Sequence, residues 1–350
     1  MQISNQKIKI LIIRRSALGD TIHTLPLAAA LREKFPNAQI DWVVESKAAQ
    51  FILDNPILNN VFIINKKNNI LKEFLKLIPK IRNEKYDIAI DTQQLLKSAI
   101  ILGLSGAKRK IALSDGREFS GIFANEIIST NRRQFDVNYH VVNRNLEIAK
   151  YLDADSQNIK FILPEPSQNT INKTKQFLLK LNPDKKTVII SPETTWDNKH
   201  WLVQNWQDII DFLKNKVNII YTGTNNDNDL SEKILSKFSQ DNIINLKGKT
   251  NLEELTEIFK CADLVITPDS GSAHIAWATG IPAIITLFFA TSAKRTAPFG
   301  SKYYSVQANC TCSPCMKKKC KYNGIHQNKC ISSINSKEII KIVNKVLQFE

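Results

Sequence analysis

Three short segments of the sequence place acidic, basic, hydroxyl and glycine residues directly after an apolar run. The first, RRSALGDTIHTLP at 14–26, follows IKILII and contains Asp20. A carboxylate at the end of a buried strand can act as a general base toward an acceptor hydroxyl, and Gly19 permits a close backbone turn beside it. Asp20 could equally cap a helix by accepting hydrogen bonds from free backbone amides, so both interpretations stay open at this level.

The second segment, SPETTWDNKHW at 191–201, again follows an apolar run. Thr194, Thr195 and Lys199 offer two hydroxyl groups and a positive charge, which together could bind a diphosphate. The alternative is a capping loop with Trp201 packed in the core.

The third segment, TPDSGSAHIAWATG at 267–280, lies between an apolar run and a stretch of small residues. Asp269, Ser270 and Gly271 precede the predicted helix, whose first amides and dipole favour a phosphate group. His274, one helical turn further on, could reach the same anion or be a satisfied buried histidine.

The elements that must position these segments alternate between apolar runs and amphipathic stretches, the pattern of a parallel, doubly wound α/β sheet. In the first half, strands are predicted at 7–13, 38–45, 61–64, 86–92 and 109–113, and helices at 24–35, 70–82 and 140–152. In the second half, strands are predicted at 187–192, 217–223, 243–248, 263–269 and 283–289, and helices at 201–214, 229–238, 252–261 and 272–280.

A polar, proline-containing stretch at 163–176 is interpreted as the linker between the halves together with the start of a helix. We therefore predict an N-terminal Rossmann-like domain over 1–165 and a C-terminal one over 166–335, facing a central cleft. A helix over 336–350 is expected to close the chain by packing back on the N-terminal domain. No Gly-x-Gly-x-x-Gly motif is present, which argues against a nicotinamide or flavin enzyme.

The charge of the chain favours anionic partners. The net charge of +15 divides into +7 over 1–165, +1 over 166–300 and +7 over 301–350. Solvated lysines from a general compositional bias are the alternative.

No apolar run is long enough to cross a bilayer, and the start of the chain does not read as a signal peptide. Five of the six cysteines lie within 310–330, which favours a reduced, cytoplasmic protein over a disulfide-stapled one.

Taken in order, these segments resemble glycosyltransferase family 9, the lipopolysaccharide heptosyltransferases, and among them the heptosyltransferase I group. SALGDTIHTLP resembles the family's Ser-x-x-Gly-Asp-x-x-His-x-Leu-Pro opening. FPNAQIDWVVE, IDTQQLLKSA, ETTWDNKHW and TPDSGSAHIAWATGIP are similar to its later blocks. The resemblance implies a GT-B fold and an inverting, metal-independent transfer of heptose from ADP-heptose, with no cofactor needed for catalysis.

The resemblance also implies roles for individual residues. Asp20 would be the general base, and the donor would be bound by Thr194, Thr195, Lys199, Asp269, Ser270, Gly271 and His274. Asp227 corresponds loosely to an acidic residue that holds ribose hydroxyls, and 246–250 would flank the adenine. Arg14, Arg15, Arg117 and Arg144 would contact an anionic glycolipid acceptor of the Kdo-lipid A type. Such an acceptor implies peripheral contact with the inner leaflet of the cytoplasmic membrane, and no nucleic acid partner is expected.

The cysteine-rich tail departs from the heptosyltransferase I pattern. Cys312, Cys315, Cys320 and Cys330 have a spacing that could bind a structural zinc or iron ion through four thiolates. Reduced, partly buried thiols are the alternative. Two other functions also remain open: the same fold acting on a different sugar or acceptor, and a basic nucleic-acid-binding protein that uses the lysine-rich tail.

Overall fold

The computed structural model describes residues 7–132, 136–225, 230–238 and 243–349. The chain divides into two compact units, Met1–Glu165 and Pro166–Glu350. Each unit contains one six-stranded parallel sheet with helices connecting its strands.

The sheet of the first unit has the strand order β3-β2-β1-β4-β5-β6. Its strands are β1 (Lys9–Ile13), β2 (Gln39–Glu45), β3 (Asn60–Ile64), β4 (Ile88–Asp91), β5 (Arg109–Leu113) and β6 (Glu126–Ile128). Its helices are α1 (Leu18–Ile22), α2 (Leu25–Lys34), α3 (Ser46–Ala49), α4 (Ile70–Glu84), α5 (Leu96–Leu104) and α6 (Val141–Tyr151), with a 3₁₀ turn at Ser120–Phe123. The order reverses between β1 and β4, where open α/β sheets bind their ligands.

The second unit repeats this topology in the order β12-β11-β10-β7-β8-β9, with its reversal between β7 and β10. Its strands are β7 (Thr187–Ile190), β8 (Asn218–Tyr221), β9 (Ile243–Asn245), β10 (Leu264–Pro268), β11 (Ile284–Phe288) and β12 (Tyr303–Gln307). Its helices are α7 (Gln168–Leu178), α8 (Val203–Leu213), α9 (Leu230–Leu235), α10 (Leu252–Lys260), α11 (Gly271–Ala278), α12 (Ala293–Thr296), α13 (Lys329–Ser332) and α14 (Ser336–Leu347), with 3₁₀ turns at Asp197–Lys199 and Gly324–His326.

The central strands are apolar along their whole length because helices cover both faces of a parallel sheet. In β1, Ile10 to Ile13 are completely buried, and β10 and β11 are buried at every position. In the first unit, Leu11 and Ile13 pack with Tyr86 and Ile101 in one core. The strands that carry the candidate residues are therefore held in place by backbone pairing and by side-chain packing.

The C-terminal helix α14 packs in the core of the second unit. Ile339, Val343 and Leu347 are buried there, in the same apolar cluster as Trp206 and Leu213 of α8. The apolar face of α14 thus shares one core with α8. The expectation that this helix packs back on the N-terminal domain stays a prediction.

The remaining elements largely agree with the sequence predictions, and the exceptions are short. Each predicted strand is present; β5 has the predicted bounds, β3 begins one residue earlier, and the others are one to three residues shorter than predicted. The edge strands β6 and β12, the helix α5 and the short helices α1, α3, α12 and α13 were not predicted. The stretch at 163–176 contains the predicted helix start, that of α7, which Ser167 caps by accepting a hydrogen bond from the Thr170 amide.

Candidate active site

Asp20 lies just beyond β1, at the reversal point of the first sheet, and is the third residue of α1. Its Oδ1 is 2.6 Å from Nη2 of Arg14, and its Oδ2 accepts a hydrogen bond of 3.1 Å from the Ala17 amide. The carboxylate thus caps the first turn of α1, which is the alternative raised by the sequence. Its side chain nevertheless stays 41% exposed, so a hydroxyl group can approach it.

Arg14 is 7% exposed and fixes the orientation of this carboxylate. Its Nη1 donates a hydrogen bond of 2.7 Å to the carbonyl of Thr92, directly after β4. The guanidinium therefore links Asp20 to the neighbouring strand end, because β1 and β4 are adjacent in the sheet. This role as a bridge was not predicted for Arg14.

Arg15 is turned away from solvent and is 2% exposed. Its Nη2 is 3.0 Å from Oε1 of Glu45 at the end of β2, and Lys66 contacts the other oxygen of that carboxylate at 2.5 Å. Burial lowers the pKa of Arg15, and the charge of Glu45 acts in the opposite direction. Arg15 thus has a buried partner within its own unit.

Asp91, the last residue of β4, is completely buried and was missed at the sequence level. Its carboxylate accepts hydrogen bonds from the amides of Gln93 and Gln94 and from the Ser98 hydroxyl, at 2.8–2.9 Å. Burial raises its pKa to about 6, although the hydrogen bonds and the charge of Arg14 oppose that rise. Its position at the end of a predicted strand, in IDTQQ, is the sequence feature that could have identified it as a site residue.

Arg144 and Arg117 both meet Gln94, but in different ways. Arg144 on α6 forms an ion pair with Asp115 (Nη2–Oδ1 2.6 Å) and also bonds to the Gln94 side chain. Arg132 contacts the same Asp115 carboxylate at 3.3 Å. Arg117 is exposed, and its backbone amide donates to the Gln94 carbonyl at 3.2 Å. Two of the four predicted acceptor arginines, Arg117 and Arg144, are therefore brought to one place beside β4.

Lys199 and Asp269 form the centre of the second site, at the reversal point between β7 and β10. The ammonium group of Lys199 is 2.7 Å from Oδ2 of Asp269, 3.0 Å from its carbonyl oxygen and 4.5 Å from the centre of the Trp196 ring. Lys199 is 9% exposed and Asp269 is 5% exposed. Burial by itself would raise the pKa of Asp269, but the charges of Lys199 and His274 outweigh it and hold that pKa below its usual value.

The same carboxylate orders the start of α11. His274 Nε2 lies 3.6 Å from Asp269 Oδ1, and the Thr296 hydroxyl contacts that oxygen at 3.3 Å. Ser270 precedes the helix without capping it, because its hydroxyl lies 3.1 Å from that of Thr267. The first amides of α11 therefore begin at Gly271, two residues after the Asp269 that contacts the Lys199 ammonium, and have no cap from Ser270.

Thr194 and Thr195 have different environments. Thr194 forms a local turn in which its hydroxyl accepts from the Trp196 amide at 3.0 Å, and Thr195 is exposed. The adjacent Glu193, which sequence reasoning missed, accepts a hydrogen bond of 3.0 Å from the Thr224 hydroxyl after β8. Trp201 is buried in the core as the capping alternative required.

The residues predicted to contact the ribose and adenine are Asp227 and the segment 246–250. Asp227 lies outside the described residues. Within 246–250, Leu246 is buried, and Gly248 has a φ of +63° and donates to the Gly223 carbonyl at 2.8 Å. A β-carbon at Gly248 would collide with the Asn225 side chain at 1.7 Å. Glycine is therefore required where this loop passes the end of β8.

The cysteines of the tail gather around Cys330. Burial and the nearby thiols of Cys312, Cys310, Cys315 and Cys320 raise the pKa of Cys330 to about 11. Cys310, which the predicted four-residue set omitted, has its Sγ 3.5 Å from that of Cys312. Among the described residues, however, no three or more His, Cys, Asp or Glu side chains are arranged to hold a metal ion.

Comparison with known proteins decides the family. The model of glycosyltransferase family 9 (heptosyltransferase) matches residues 74–326. The chain belongs to this family. It is 30% identical over 297 residues to the lipopolysaccharide core heptosyltransferase OpsX of Haemophilus influenzae, covering 83% of this chain and 81% of that protein. The predicted membership, and with it a glycosyltransferase that transfers heptosyl groups, is confirmed.

Solved structures of the family share the fold. A family 9 glycosyltransferase from Veillonella parvula matches with a TM-score of 0.82 at 17% identity, over 99% of both chains. The heptosyltransferase WaaC of Escherichia coli, solved with ADP-2-deoxy-2-fluoro heptose, matches with a TM-score of 0.72 at 21% identity, over 97% of this chain and 99% of that one. The iron-containing glycosyltransferase TibC of E. coli matches with a TM-score of 0.61 at 13% identity, over 98% of this chain and 77% of that one. The predicted GT-B class of two doubly wound α/β domains is confirmed.

Proposed function

We propose that this enzyme transfers heptose from ADP-heptose to the inner core of lipopolysaccharide, on an acceptor of the Kdo-lipid A type. The observation that carries the proposal is the Lys199–Asp269 pair beside the first turn of α11, a buried positive charge next to helix amides. A buried ammonium and a helix N-terminus together favour a diphosphate. WaaC, which shares the fold, was solved with an ADP-heptose analogue.

The donor role falls to the second unit. Lys199 and the first amides of α11, from Gly271, bind the diphosphate, and Asp269 holds Lys199 in place. His274, whose Nε2 lies 3.6 Å from Oδ1 of Asp269, offers a further polar group to the same anion. Thr194, Thr195 and Ser270 offer hydroxyl groups, and Asp227 and 246–250 are assigned to the ribose and adenine.

The acceptor role falls to the first unit. Arg117, exposed beside Gln94, contacts an anionic group of the inner core directly, and Arg144 supports it from the Asp115 pair. Arg14 acts by positioning Asp20 rather than by binding the acceptor, since its guanidinium is engaged by Asp20 and Thr92. Arg15 is assigned a structural role because Glu45 neutralises its buried charge.

The reaction proceeds by a single displacement with inversion. Asp20 accepts the proton of the acceptor hydroxyl as its oxygen bonds to the anomeric carbon and the bond to the ADP β-phosphate oxygen breaks. The negative charge that develops on the departing ADP is stabilised by Lys199 and the helix amides. The acid–base step uses only side chains of this chain.

The donor proposal is tested by thermal shift with ADP, UDP, GDP, CMP and NAD. A ligand that binds the folded state raises the melting temperature, and we expect ADP alone to do so. Lys199→Ala should reduce the shift. The shift is measured against the variant's own melting temperature, because the substitution removes the ion-pair partner of the buried Asp269 carboxylate. Preference for UDP or GDP would favour a different sugar on the same fold, and no response would contradict the donor site.

The catalytic proposal is tested by transfer from ADP-heptose to a Kdo-lipid A acceptor. We expect Asp20→Asn to lower kcat by about 10²–10⁴ with ADP binding unchanged. Asp54→Asn, an exposed aspartate of the same unit, serves as the matched control. Anomeric analysis of the product by NMR reports inversion. Full activity in Asp20→Asn would rule out this base.

A structural metal at Cys312, Cys315, Cys320 and Cys330 is a separate proposal, supported by their gathering around Cys330 and by the iron in TibC. The thiols described here would have to move closer and lose their protons to bind zinc or iron. Metal analysis of the purified protein should find about one ion per chain, lost in Cys315→Ser. A metal-free protein with unchanged stability would leave the cysteines as reduced thiols.

We also propose that the enzyme works at the inner leaflet of the cytoplasmic membrane, in peripheral contact with it, because its acceptor is a lipid. None of the helices in the described part of the chain has the length and apolar character needed to span a bilayer. Fractionation of cells after a salt wash would test this location.

A further inference from the structure

Four large apolar side chains of the first unit project into solvent in one short segment. Phe119 is 89% exposed, Ile122 73%, Ile127 54% and Phe123 40%. Phe119 and Ile122 are three residues apart around a 3₁₀ turn, where side chains at this spacing lie above one another. Ile127 of β6 is adjacent, since its Cδ1 lies 3.4 Å from the position of a β-carbon at Gly121. We call these four residues the apolar surface.

The backbone beneath the apolar surface is anchored to the core. Ser120 is 1% exposed, and the Phe123 ring packs so closely on α5 that a β-carbon at Gly103 would lie 2.8 Å from it. Glu118 accepts a hydrogen bond of 3.2 Å from the Leu96 amide at the start of α5. The apolar side chains are therefore presented by a fixed segment.

The conformation of the segment also keeps Phe119 outward. Glu118 and Phe119 both have left-handed backbone angles, with φ of +54° and +56°. Residues with a β-carbon adopt this region rarely, and an aromatic residue held there in full contact with water is unfavourable on two counts. Such a feature points to a function for the exposed ring.

The charges around the apolar surface are mainly positive. Between Leu96 and Arg132 the chain has six basic and three acidic residues. Lys97 and Lys108 are both exposed, and Lys108 forms an ion pair with Asp87 at 2.8 Å. Asp115 and Glu126 are already paired with arginines. A cluster of aromatic and aliphatic side chains flanked by lysines fits an anionic lipid surface, whose headgroups attract the cations while the apolar side chains enter the acyl boundary.

We infer that the apolar surface inserts into anionic lipid membrane. The inference rests on the proposed function, to which it adds the membrane-contacting residues. The segment is joined to the proposed acceptor site, because the Arg117 amide bonds to Gln94, which also contacts Arg144. Insertion at 119–127 would hold Arg117 near the headgroup level, where the sugars of a membrane-embedded acceptor begin.

The test is flotation of the full chain with vesicles of phosphatidylcholine alone or with 30 mol% phosphatidylglycerol, a composition of about one anionic lipid in three. We expect binding only to the anionic vesicles, weakened by salt. The double variant Phe119→Ser/Ile122→Ser should reduce it by at least about tenfold, because two apolar side chains no longer leave water. The matched control Leu179→Ser/Ile325→Ser changes two side chains that are 81% and 89% exposed on the second unit.

Insertion itself is read from Ile122→Trp, whose emission should shift to the blue and be quenched by brominated acyl chains. Four results would each overturn the inference. The double variant could bind as well as the wild type, or the control variant could lose as much binding as the double variant. The wild type could bind neutral vesicles as well as anionic ones, or bind no vesicles at all. A wild-type dimer that dissociates in the double variant without binding vesicles would also overturn it, and would assign the surface to a second copy.

The activity on a soluble, deacylated acceptor separates this inference from the proposed function. That activity should be unchanged in Phe119→Ser/Ile122→Ser, since neither side chain is part of the assigned site. Normal transfer together with unaltered vesicle binding would refute only the membrane surface. If the wild-type enzyme shows no transfer but its vesicle binding depends on Phe119 and Ile122, only the heptosyltransferase reaction on this acceptor is refuted.

Discussion

At the scale of single residues, the charged groups of both sites are held by partners far away in the sequence. Lys199 and Asp269 are 70 positions apart, and Arg14 and Thr92 are 78 apart, yet each pair is within hydrogen-bonding distance. The residue types and their place after a strand were predictable. The partners were not, because they depend on which strands are neighbours in the sheet.

Arg14 provides a residue-scale prediction for the reaction. Arg14→Ala should lower kcat by about ten- to a hundredfold, because Asp20 loses the contact that orients it. The KM for ADP-heptose should not change, since the donor is assigned to the second unit. Arg14→Lys should restore part of kcat if the ammonium reaches Asp20. Steady-state kinetics of the three proteins provides the measurement, and a change confined to KM would contradict the positioning role.

Asp91 provides a prediction for the pH dependence of stability. Its pKa is raised from 3.8 to about 6 in the folded chain. The native state therefore binds the extra proton more tightly, so the stability from this group is greatest below pH 4 and is lost as the pH rises through 6. We expect a loss of about 3 kcal/mol between pH 4 and 7.

The comparison with Asp91→Asn isolates this contribution. Urea unfolding of both proteins across pH 4–7 gives the difference in the free energy of unfolding, in which other titrating groups cancel. The free energy of unfolding of the wild type, relative to that of Asp91→Asn, should decrease as the pH rises. A difference that does not vary with pH would show that Asp91 titrates normally.

At the scale of elements, the charged site residues lie at or after the ends of strands, and the helices pack on those strands and hold them in place. Asp20 follows β1 and Asp91 ends β4 at one reversal point, and Lys199 follows β7 and Asp269 follows β10 at the other. Strong apolar runs made these four strands predictable. The edge strands β6 and β12 were missed because half-exposed strands carry a weaker apolar pattern, as EII and YYSVQ illustrate.

The C-terminal helix provides a prediction at this scale. Ile339→Ala removes a fully buried side chain from the core that α14 shares with α8 and should lower the free energy of unfolding by about 2–5 kcal/mol. Lys341→Ala, on the exposed side of the same helix, should change it by less than about 0.5 kcal/mol. Fluorescence of the second unit, which has four of the five tryptophans, follows the transition. Equal effects of the two substitutions would mean that α14 is not part of this core.

At the scale of the whole molecule, two units of the same topology carry different residues at equivalent places. The first has a partly exposed carboxylate at its reversal point, and the second has a buried ammonium. Repeated topology with different chemistry suits a reaction with two substrates, each recognised by one unit.

Hydrogen exchange with ADP tests this division across the full chain. We expect ADP to slow exchange in 191–200 and 267–274 of the second unit, because bound ligand orders the loop and occupies the first amides of α11. The effect should be much smaller in Lys199→Ala at the same ADP concentration. Protection confined to 14–24 of the first unit would place the nucleotide on the opposite unit from the one proposed.

The sequence by itself determined the class of fold, the division near residue 165 and the segments that carry the chemistry. Alternating apolar runs and strand-end motifs are local properties, so they can be read along the chain. Only the tertiary structure decided that Asp20 pairs with Arg14, that Arg15 is buried against Glu45, that Asp115 joins Arg144 to Arg132, and that α14 packs on α8. The physical reason is that opposite charges and apolar faces are abundant in this chain, and strand order selects which of them meet.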